Sequence, residues 1–289
     1  MRGFLVVSFL LFPSLGVCGF QDPYDMEVMS DSPVAYWRLN DTVPNGGVAL
    51  DISGNGHNGV YSSATGNTLT MKVAPAFSTC GYSKVNDTNN GTQQQITVPD
   101  DAAFDLGTAD FSIEILWQTA AGSSTTGCTT NGSGFSKGTE SGGFPRIYCQ
   151  WDGADNGPTI QMCSDVYGPL HISHDAWHQL VFVRQTTTTL DWYVDGVLSQ
   201  DDLAIDSACS LTNASDLKMW YNSTIGGGDT STYTLKLDNV SFYNTELDAT
   251  QISDHYDALS ESVPCPQMPD MGYQVKNFLR SPNLFGFIR

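Results

Sequence analysis

Apolar and polar residues alternate in short runs along most of the chain, which is the pattern of half-buried β-strands. The clearest run is FSIEILW, in which Phe111, Ile113, Ile115 and Trp117 fall on one face of a strand. Similar runs occur at residues 35–39, 94–98, 177–184 and 190–194, with turn-forming residues between them. Many short antiparallel strands joined in this way predict an all-β jelly-roll sandwich.

Helical periodicity becomes convincing only at the end of this pattern. The segment LDNVSFYNTEL (residues 237–247) indicates a buried strand, and a short C-terminal helix is predicted from Asp248 to about Leu259. Asp248 is a suitable N-cap, and Gln251 three residues later completes a capping box. The proline-containing residues 260–289 are predicted to be a tail.

The N-terminus has the features of a secretory signal peptide. Arg2 precedes an apolar stretch from Phe4 to Phe12, and small residues then lead into polar sequence at Gln21. The stretch is too short for a comfortable membrane span. We therefore expect a signal peptide at 1–19, a lead-in at 20–31 and a domain at 32–259. The mature chain is then secreted, or lies on a virion or cell surface.

Cysteine usage agrees with export. Of the seven cysteines, cleavage would remove Cys18 and leave an even number, which predicts disulfide bonds in an exported chain. Cys149 and Cys163 lie symmetrically about Asn156, in the turn sequence DNG. A hairpin centred there would place them opposite each other, so we predict a Cys149–Cys163 disulfide. The pairing of the other four is open, and the absence of Cys-x-x-Cys disfavours a zinc site.

Charge restricts the partners. The chain has 31 acidic and 12 basic residues, a formal net charge of -19. Such a chain repels phosphate backbones and anionic lipid surfaces, so nucleic acids and membranes are disfavoured. Seven Asn-x-Ser/Thr tripeptides predict glycosylation in a host that uses this signal, and Asn239, inside a predicted strand, is the least plausible acceptor.

Seven segments, in this order, resemble the laminin-G-like branch of the concanavalin A-like lectin/glucanase superfamily. They are SPVAYWRL (32–39), DISGNGHNG (51–59), VPDDAAFDL (98–106), DFSIE (110–114), WHQLVFVR (177–184), YVDG (193–196) and the closing strand and helix. The resemblance covers residues 32–259 and implies two antiparallel sheets packed face to face, one of them concave. Members include carbohydrate-binding modules, adhesion domains, parts of sialidases and glycosidases, and viral surface proteins, so the fold alone does not fix the function.

A glycine-rich loop at 51–59 is the best candidate for a metal site. Calcium prefers oxygen ligands, and Asp51 offers a carboxylate, Asn55 an amide oxygen and the glycines free carbonyls. Asp238 on the closing strand would complete the site. Calcium sites at comparable loops among relatives support this prediction, and hydrogen-bonded turns at Asp51 and Asn55 are the alternative.

The sequence predicts no catalysis. The Glu-x-Asp-x-x-Glu spacing that places an acid beside a nucleophile in glucanases of this fold does not occur, and neither does Gly-x-Ser-x-Gly. Glu114 stands alone on its strand and is expected to pair with Arg38 or Arg184.

Sugar binding on a sandwich requires exposed aromatic rings beside hydrogen-bonding groups. Tyr82, Trp151, Trp220 and Tyr221 occupy turn-rich or strand-end positions and are the predicted ligand-binding aromatics. The tryptophans at 37, 117, 177 and 192 are expected in the core. The sequence thus predicts an exported, non-catalytic binding or adhesion module for a carbohydrate or a partner surface, with possible structural calcium. The alternatives are a structural component of a virion or cell coat and a glycoside hydrolase-like enzyme.

Overall fold

The computed structural model describes a two-sheet β-sandwich with two helices on one side. The described residues are 22–41, 43, 46–63, 70–73, 83–85, 94–119, 133–138, 145–151, 156–163, 165–168, 170–173, 175–185, 188–206, 208–221 and 235–260. Within them, no helix is long and apolar enough to cross a membrane.

The helices are α1 (Pro23–Ser30) and α2 (Ala249–Ser260). The strands are β1 (Ala35–Trp37), β2 (Val48–Ala49), β3 (Gly59–Ser63), β4 (Thr70–Val73), β5 (Ser83–Val85), β6 (Gln94–Val98), β7 (Phe111–Thr119), β8 (Ser133–Lys137), β9 (Arg146–Trp151), β10 (Asn156–Met162), β11 (Asp165–Tyr167), β12 (His178–Gln185), β13 (Thr189–Val194), β14 (Val197–Ala204), β15 (Leu217–Tyr221) and β16 (Leu235–Tyr243).

Two antiparallel sheets face each other. Sheet A has the order β14-β13-β12-β7-β16-β5-β4, with β1 also paired to β16, and sheet B has the order β11-β10-β9-β8-β15-β6-β3-β2. The predicted jelly-roll sandwich is therefore confirmed. The predicted core strand is also confirmed, since Phe111, Ile113, Ile115 and Trp117 all pack in the inter-sheet core.

The outer face of sheet A carries a second apolar layer. Leu116, Val181 and Val183 point away from the inter-sheet core and pack with α1 and α2, through residues such as Tyr24 and Ile252. Because strand residues alternate between faces, sheet B on the inner face and the two helices on the outer face together explain why β7 and β12 are buried on both faces.

The predicted capping box of α2 is present. The Asp248 carboxylate accepts hydrogen bonds from the N–H groups of Thr250 and Gln251 at 2.8 and 2.9 Å, and Gln251 Oε1 accepts from Asp248 N–H at 2.8 Å. The sequence missed α1, whose short length gives no clear apolar stripe. Its signals are local: Asp22 accepts from Tyr24 N–H as N-cap, and proline opens the first turn.

The predicted Cys149–Cys163 disulfide is wrong, because Cys163 is bonded to Cys209. The β9–β10 hairpin pairs Trp151 with Asn156, so the hairpin is centred between these two residues and not on Asn156. This register places Cys149 opposite Pro158, whereas Cys163 lies beyond the end of β10. The Cys163–Cys209 bond joins the end of β10 in sheet B to the connection that follows β14 in sheet A.

Candidate functional site at the His178 end of the sandwich

One end of the sandwich gathers several strand ends, and we call it the His178 end. His178, the first residue of β12, pairs with Trp117 near the end of β7, and Leu237 near the start of β16 pairs with the same residue. The two sheets approach closely here, because a Cβ atom at Gly134 would lie 2.3 Å from a ring carbon of Trp117. Glycine at the start of β8 is therefore required by packing.

Backbone pairing brings three of the four predicted ligand-binding aromatics to this end. Tyr221, the last residue of β15, pairs with Ser133, the first residue of β8, and Ser133 also pairs with Tyr148. Since β9 continues to Trp151, the ends of β9 and β15 flank the start of β8. Trp151, Trp220 and Tyr221 thus fall at neighbouring strand ends. Their side chains, and all of Tyr82, lie outside the described part of the chain.

Beside these strand ends, three polar side chains form a hydrogen-bonded chain. His178 Nδ1 lies 2.7 Å from Asp195 Oδ2, and His178 Nε2 lies 2.9 Å from Ser173 Oγ and 3.2 Å from the Ser173 carbonyl oxygen. Ser173 is exposed, whereas the His178 side chain is only 11% exposed. Burial by itself would lower the pKa of His178, but the hydrogen bond and charge of Asp195, with the Ser173 carbonyl, raise it.

The turn that carries Asp195 is held firmly. Asp195 and Gly196 both have positive φ, 53° and 75°, as a tight Asp-Gly turn between two strands requires. Asp195 Oδ1 accepts from Gln179 N–H at 3.0 Å, and Gly196 N–H donates to Gln179 Oε1 at 3.0 Å. The carboxylate is therefore oriented toward His178 by the backbone of the neighbouring strand.

The predicted calcium loop is organised by hydrogen bonds. Asp51 Oδ1 accepts from the N–H groups of Tyr36 and Ser53 at 3.0 and 2.9 Å, and Oδ2 accepts from His57 N–H at 2.8 Å. Asn55 Nδ2 donates to the Val34 carbonyl at 2.9 Å. Both Asp51 oxygens thus already have partners, as in the hydrogen-bonded alternative. Asp238 is buried and accepts from Asn239 N–H. Calcium at this loop stays a prediction.

An acidic cluster that the sequence did not indicate lies on β13 and β14. Asp191, Asp201 and Asp202 each have a carboxylate oxygen within 4.8 Å of the others. Asp191 is buried, accepts from Asp202 N–H at 2.8 Å and is also bound by Gln185 Nε2. Burial raises the pKa of Asp191, the Asp202 N–H opposes this shift, and the charges of Asp201 and Asp202 add to it. Such oxygens could hold a hard cation.

Glu114 does not pair with an arginine as predicted. It is fully buried on the outer face of sheet A, where its carboxylate contacts His255 Nδ1 at 2.8 Å and accepts from Gln179 and Tyr24 at 2.7 and 2.9 Å. Arg38 pairs with Asp25 instead, at 2.8 Å. The sequence could not indicate this arrangement, because His255 lies on α2, 141 residues away.

Sequence comparison places the chain in a family. Residues 90–253 match Laminin_G_3, a family of the concanavalin A-like lectin/glucanases superfamily. This match covers more than half of the chain, which therefore belongs to that family, as the resemblance implied. No curated protein matches the chain by sequence.

Solved structures share the fold. The binding domain of Paraclostridial Mosquitocidal Protein 1 superposes with a TM-score of 0.59 at 12% identity, over 80% of this chain and 53% of that one. The binding domain of Botulinum Neurotoxin DC in complex with SialylT gives 0.58 at 12%, over 81% and 53%. Trypanosoma rangeli sialidase in complex with sialic acid gives 0.53 at 11%, over 78% and 33%. These identities show the fold alone, and the chain spans about half the length of the toxin binding domains.

Proposed function

We propose that the chain is an exported binding module that recognises a carbohydrate at the His178 end. The observation that carries the proposal is that the strand ends at Trp151 and Tyr221 and the polar group of Ser173 and Asp195 lie at the same end of the sandwich. Aromatic faces stack on sugar C–H groups, and hydroxyl and carboxylate oxygens bind sugar hydroxyls.

The spacing of these strand ends favours an oligosaccharide. β9 and β15 both pair with β8, so their ends are separated by two strand spacings, about 10 Å. Two stacking positions at that separation suit an oligosaccharide better than a monosaccharide. Solved structures of the same fold include protein complexes with SialylT and with sialic acid, which makes sialylated glycans the first class to test.

The test is a glycan array that contains sialylated and neutral oligosaccharides, probed with the mature protein. We expect retention of one oligosaccharide class, and at least about a tenfold loss of affinity in Trp151→Ala and Trp220→Ala, because one stacking contact contributes roughly 1–2 kcal/mol. Val60→Ala, at an exposed position on β3, two strands from β15, is the matched control and should bind as the wild type does. Absence of retention, or retention unchanged by both tryptophan variants, would reject the proposal.

Calcium is part of the proposal as a structural ion. The oxygens that could hold it are those of Asp191, Asp201 and Asp202 or those of the 51–59 loop. Binding of the ion to the folded state would raise the melting temperature of the protein. Asp51→Ala and Asp202→Asn distinguish these two places.

A second candidate function is a structural or adhesive component of a virion or cell coat. It is favoured by an apolar patch at the edge of sheet B, where Val43, Val48, Leu50 and Val60 are 57%, 50%, 51% and 45% exposed. Val48 and Val60 are cross-strand neighbours on β2 and β3. Exposed apolar patches of this kind mark protein contacts. Concentration-dependent assembly in analytical ultracentrifugation that is lost in Val48→Ser and Val60→Ser would favour this function.

A further inference from the structure

The chain of Ser173, His178 and Asp195 has the arrangement of an activated nucleophile. The serine hydroxyl oxygen lies 2.9 Å from one imidazole nitrogen, and the other nitrogen lies 2.7 Å from a carboxylate oxygen. A nucleophile, a base within hydrogen-bond reach and a third group that orients the base are the recurring parts of such sites. Three residue types in this order along one hydrogen-bonded chain provide a path for the serine proton to the imidazole.

Exposure is divided among the three residues in the way this chemistry needs. Ser173 is exposed and can reach a substrate, whereas the His178 and Asp195 side chains are 11% and 28% exposed. The Asp195 carboxylate uses its second oxygen to accept from Gln179 N–H. It can therefore hold the neutral imidazole with Nδ1 protonated, so that Nε2 faces Ser173 Oγ as the base. Once the imidazole is protonated, Nε2–H can donate to the Ser173 carbonyl, 3.2 Å away.

The supporting structure fixes the segment that carries the serine. Gln118 Nε2 on β7 donates to the Asp175 carbonyl at 2.7 Å, and the Ser173 carbonyl also contacts His178 Nε2. Ser173 precedes β12 by a few residues, and Asp195 follows β13. The three side chains thus come from three positions that only the pairing of β12 with its neighbours brings together.

We propose that Ser173, His178 and Asp195 form a nucleophilic triad that cleaves carboxylic esters, an activity beyond the binding function proposed above. Ser173 Oγ attacks the ester carbonyl carbon while its proton moves to His178 Nε2. The carbon–oxygen bond to the alcohol breaks, and the departing alcohol takes that proton. Water then attacks the acyl-serine with His178 as the base, and the carboxylic acid leaves. The net reaction consumes one ester and one water and yields an acid and an alcohol. Asp195 acts as a positioning residue.

The first experiment is labelling of the mature protein with a fluorophosphonate probe, with the labelled serine located by peptide mass spectrometry. We expect Ser173 to react at least about 100-fold faster than Ser199, an exposed serine on β14 that serves as the internal control. Labelling should be lost in Ser173→Ala and unchanged in Ser199→Ala. Hydrolysis of p-nitrophenyl acetate should likewise be lost in Ser173→Ala and unchanged in Ser199→Ala.

Two further variants distinguish a catalytic triad from a set of hydrogen bonds that only stabilises the turn. His178→Gln should lower the labelling rate about 100-fold and Asp195→Asn about tenfold or more, with melting temperatures measured for both. In the wild type, the rate should rise with pH and level off once His178 is deprotonated. Labelling of Ser173 no faster than that of Ser199, or a rate unaffected by both variants, would overturn the proposal. Either result leaves the proposed glycan binding undecided, because the glycan array tests that function with variants of Trp151 and Trp220.

Discussion

At the residue scale, Asp51 illustrates how one side chain can hold a loop together. Its two carboxylate oxygens accept from three backbone N–H groups, and Asp51 N–H itself donates to Asn58 Oδ1 at 2.9 Å. The residue is 6% exposed, so these N–H groups have little access to water if the carboxylate is removed. Unsatisfied buried donors are costly, and hydrogen bonds to a charged group are stronger than neutral ones.

Asp51→Ala should therefore lower the free energy of unfolding by about 2–4 kcal/mol in chelator, where no calcium contributes. Asn55→Ala, which removes an exposed side chain from the same loop, is the control and should cost about 1 kcal/mol or less. Urea titrations of the three proteins measure both quantities. An Asp51→Ala protein as stable as Asn55→Ala would contradict the role assigned to the carboxylate.

The same variants locate calcium. The informative quantity is the rise in melting temperature on adding calcium, compared within each variant. A loop site predicts that this rise disappears in Asp51→Ala and persists in Asp202→Asn. A site at the acidic cluster of Asp191, Asp201 and Asp202 predicts the reverse. A rise in neither the wild type nor any variant would remove structural calcium from the proposed function.

At the scale of elements, a buried charge network attaches both helices to sheet A. His255 on α2 lies between Glu114 of β7 and Asp31 at the end of α1, with ring nitrogens 2.8 and 2.9 Å from the two carboxylates. Burial would lower the pKa of His255, but Glu114 and then Asp31 raise it to about 9. Burial would raise the pKa of Glu114, yet His255, with hydrogen bonds from Gln179 and Tyr24, lowers it.

These shifts predict how stability depends on pH. The His255 contribution is complete below its unfolded pKa of about 6.5 and is lost as the pH rises through about 9. The Glu114 contribution is complete above its unfolded pKa of about 4.5 and is lost as the pH falls through its lowered folded value. The network should therefore stabilise the fold most between about pH 4.5 and 6.5.

We expect unfolding free energy to fall by on the order of 3 kcal/mol between pH 6 and pH 10 in the wild type, and this slope to flatten in His255→Gln. His171→Gln, at an exposed histidine, should keep the wild-type slope. Chemical denaturation at several pH values gives the curves. Equal slopes for His255→Gln and the wild type would show that this histidine does not set the pH dependence.

At the scale of the whole molecule, the Cys163–Cys209 disulfide connects the two sheets at one edge. Its partners are separated by 46 residues, a loop for which the chain-entropy estimate is about 4 kcal/mol of stabilisation. Arg184, buried in β12, donates from Nη1 to the Cys209 carbonyl at 3.1 Å and adds a second link at the same point. Loss of the Cys163–Cys209 bond should therefore loosen the contact between the two sheets at this edge.

A mutant cycle tests this pairing. Cys163→Ser, Cys209→Ser and the double variant should all lose a similar 2–4 kcal/mol, because each removes the same bond. Non-reducing peptide mapping should find a linked pair of peptides that contain Cys163 and Cys209. Additive losses in the double variant, or a linkage of Cys163 to another cysteine, would contradict the assignment.

Local sequence determined much of this protein. Alternation in β7 identified its core face, and Asp248 and Gln251 identified the start of α2. Trp37, Trp117 and Trp192 are fully buried as predicted. Each of these features depends on residues a few positions apart, which is the range over which side-chain pattern and turn chemistry act.

Only the tertiary structure decided which distant residues meet. The partner of Cys163 depended on the register of the β9–β10 hairpin, which pairs Trp151 with Asn156, and the partner of Glu114 on a helix that packs across the sheet. Ser173, His178 and Asp195 come together only because β12 and β13 pair in one register. A strand pattern fixes which face a side chain occupies. The choice among possible neighbours is made by the packing and register of the complete sandwich, because those terms involve residues far apart in the sequence.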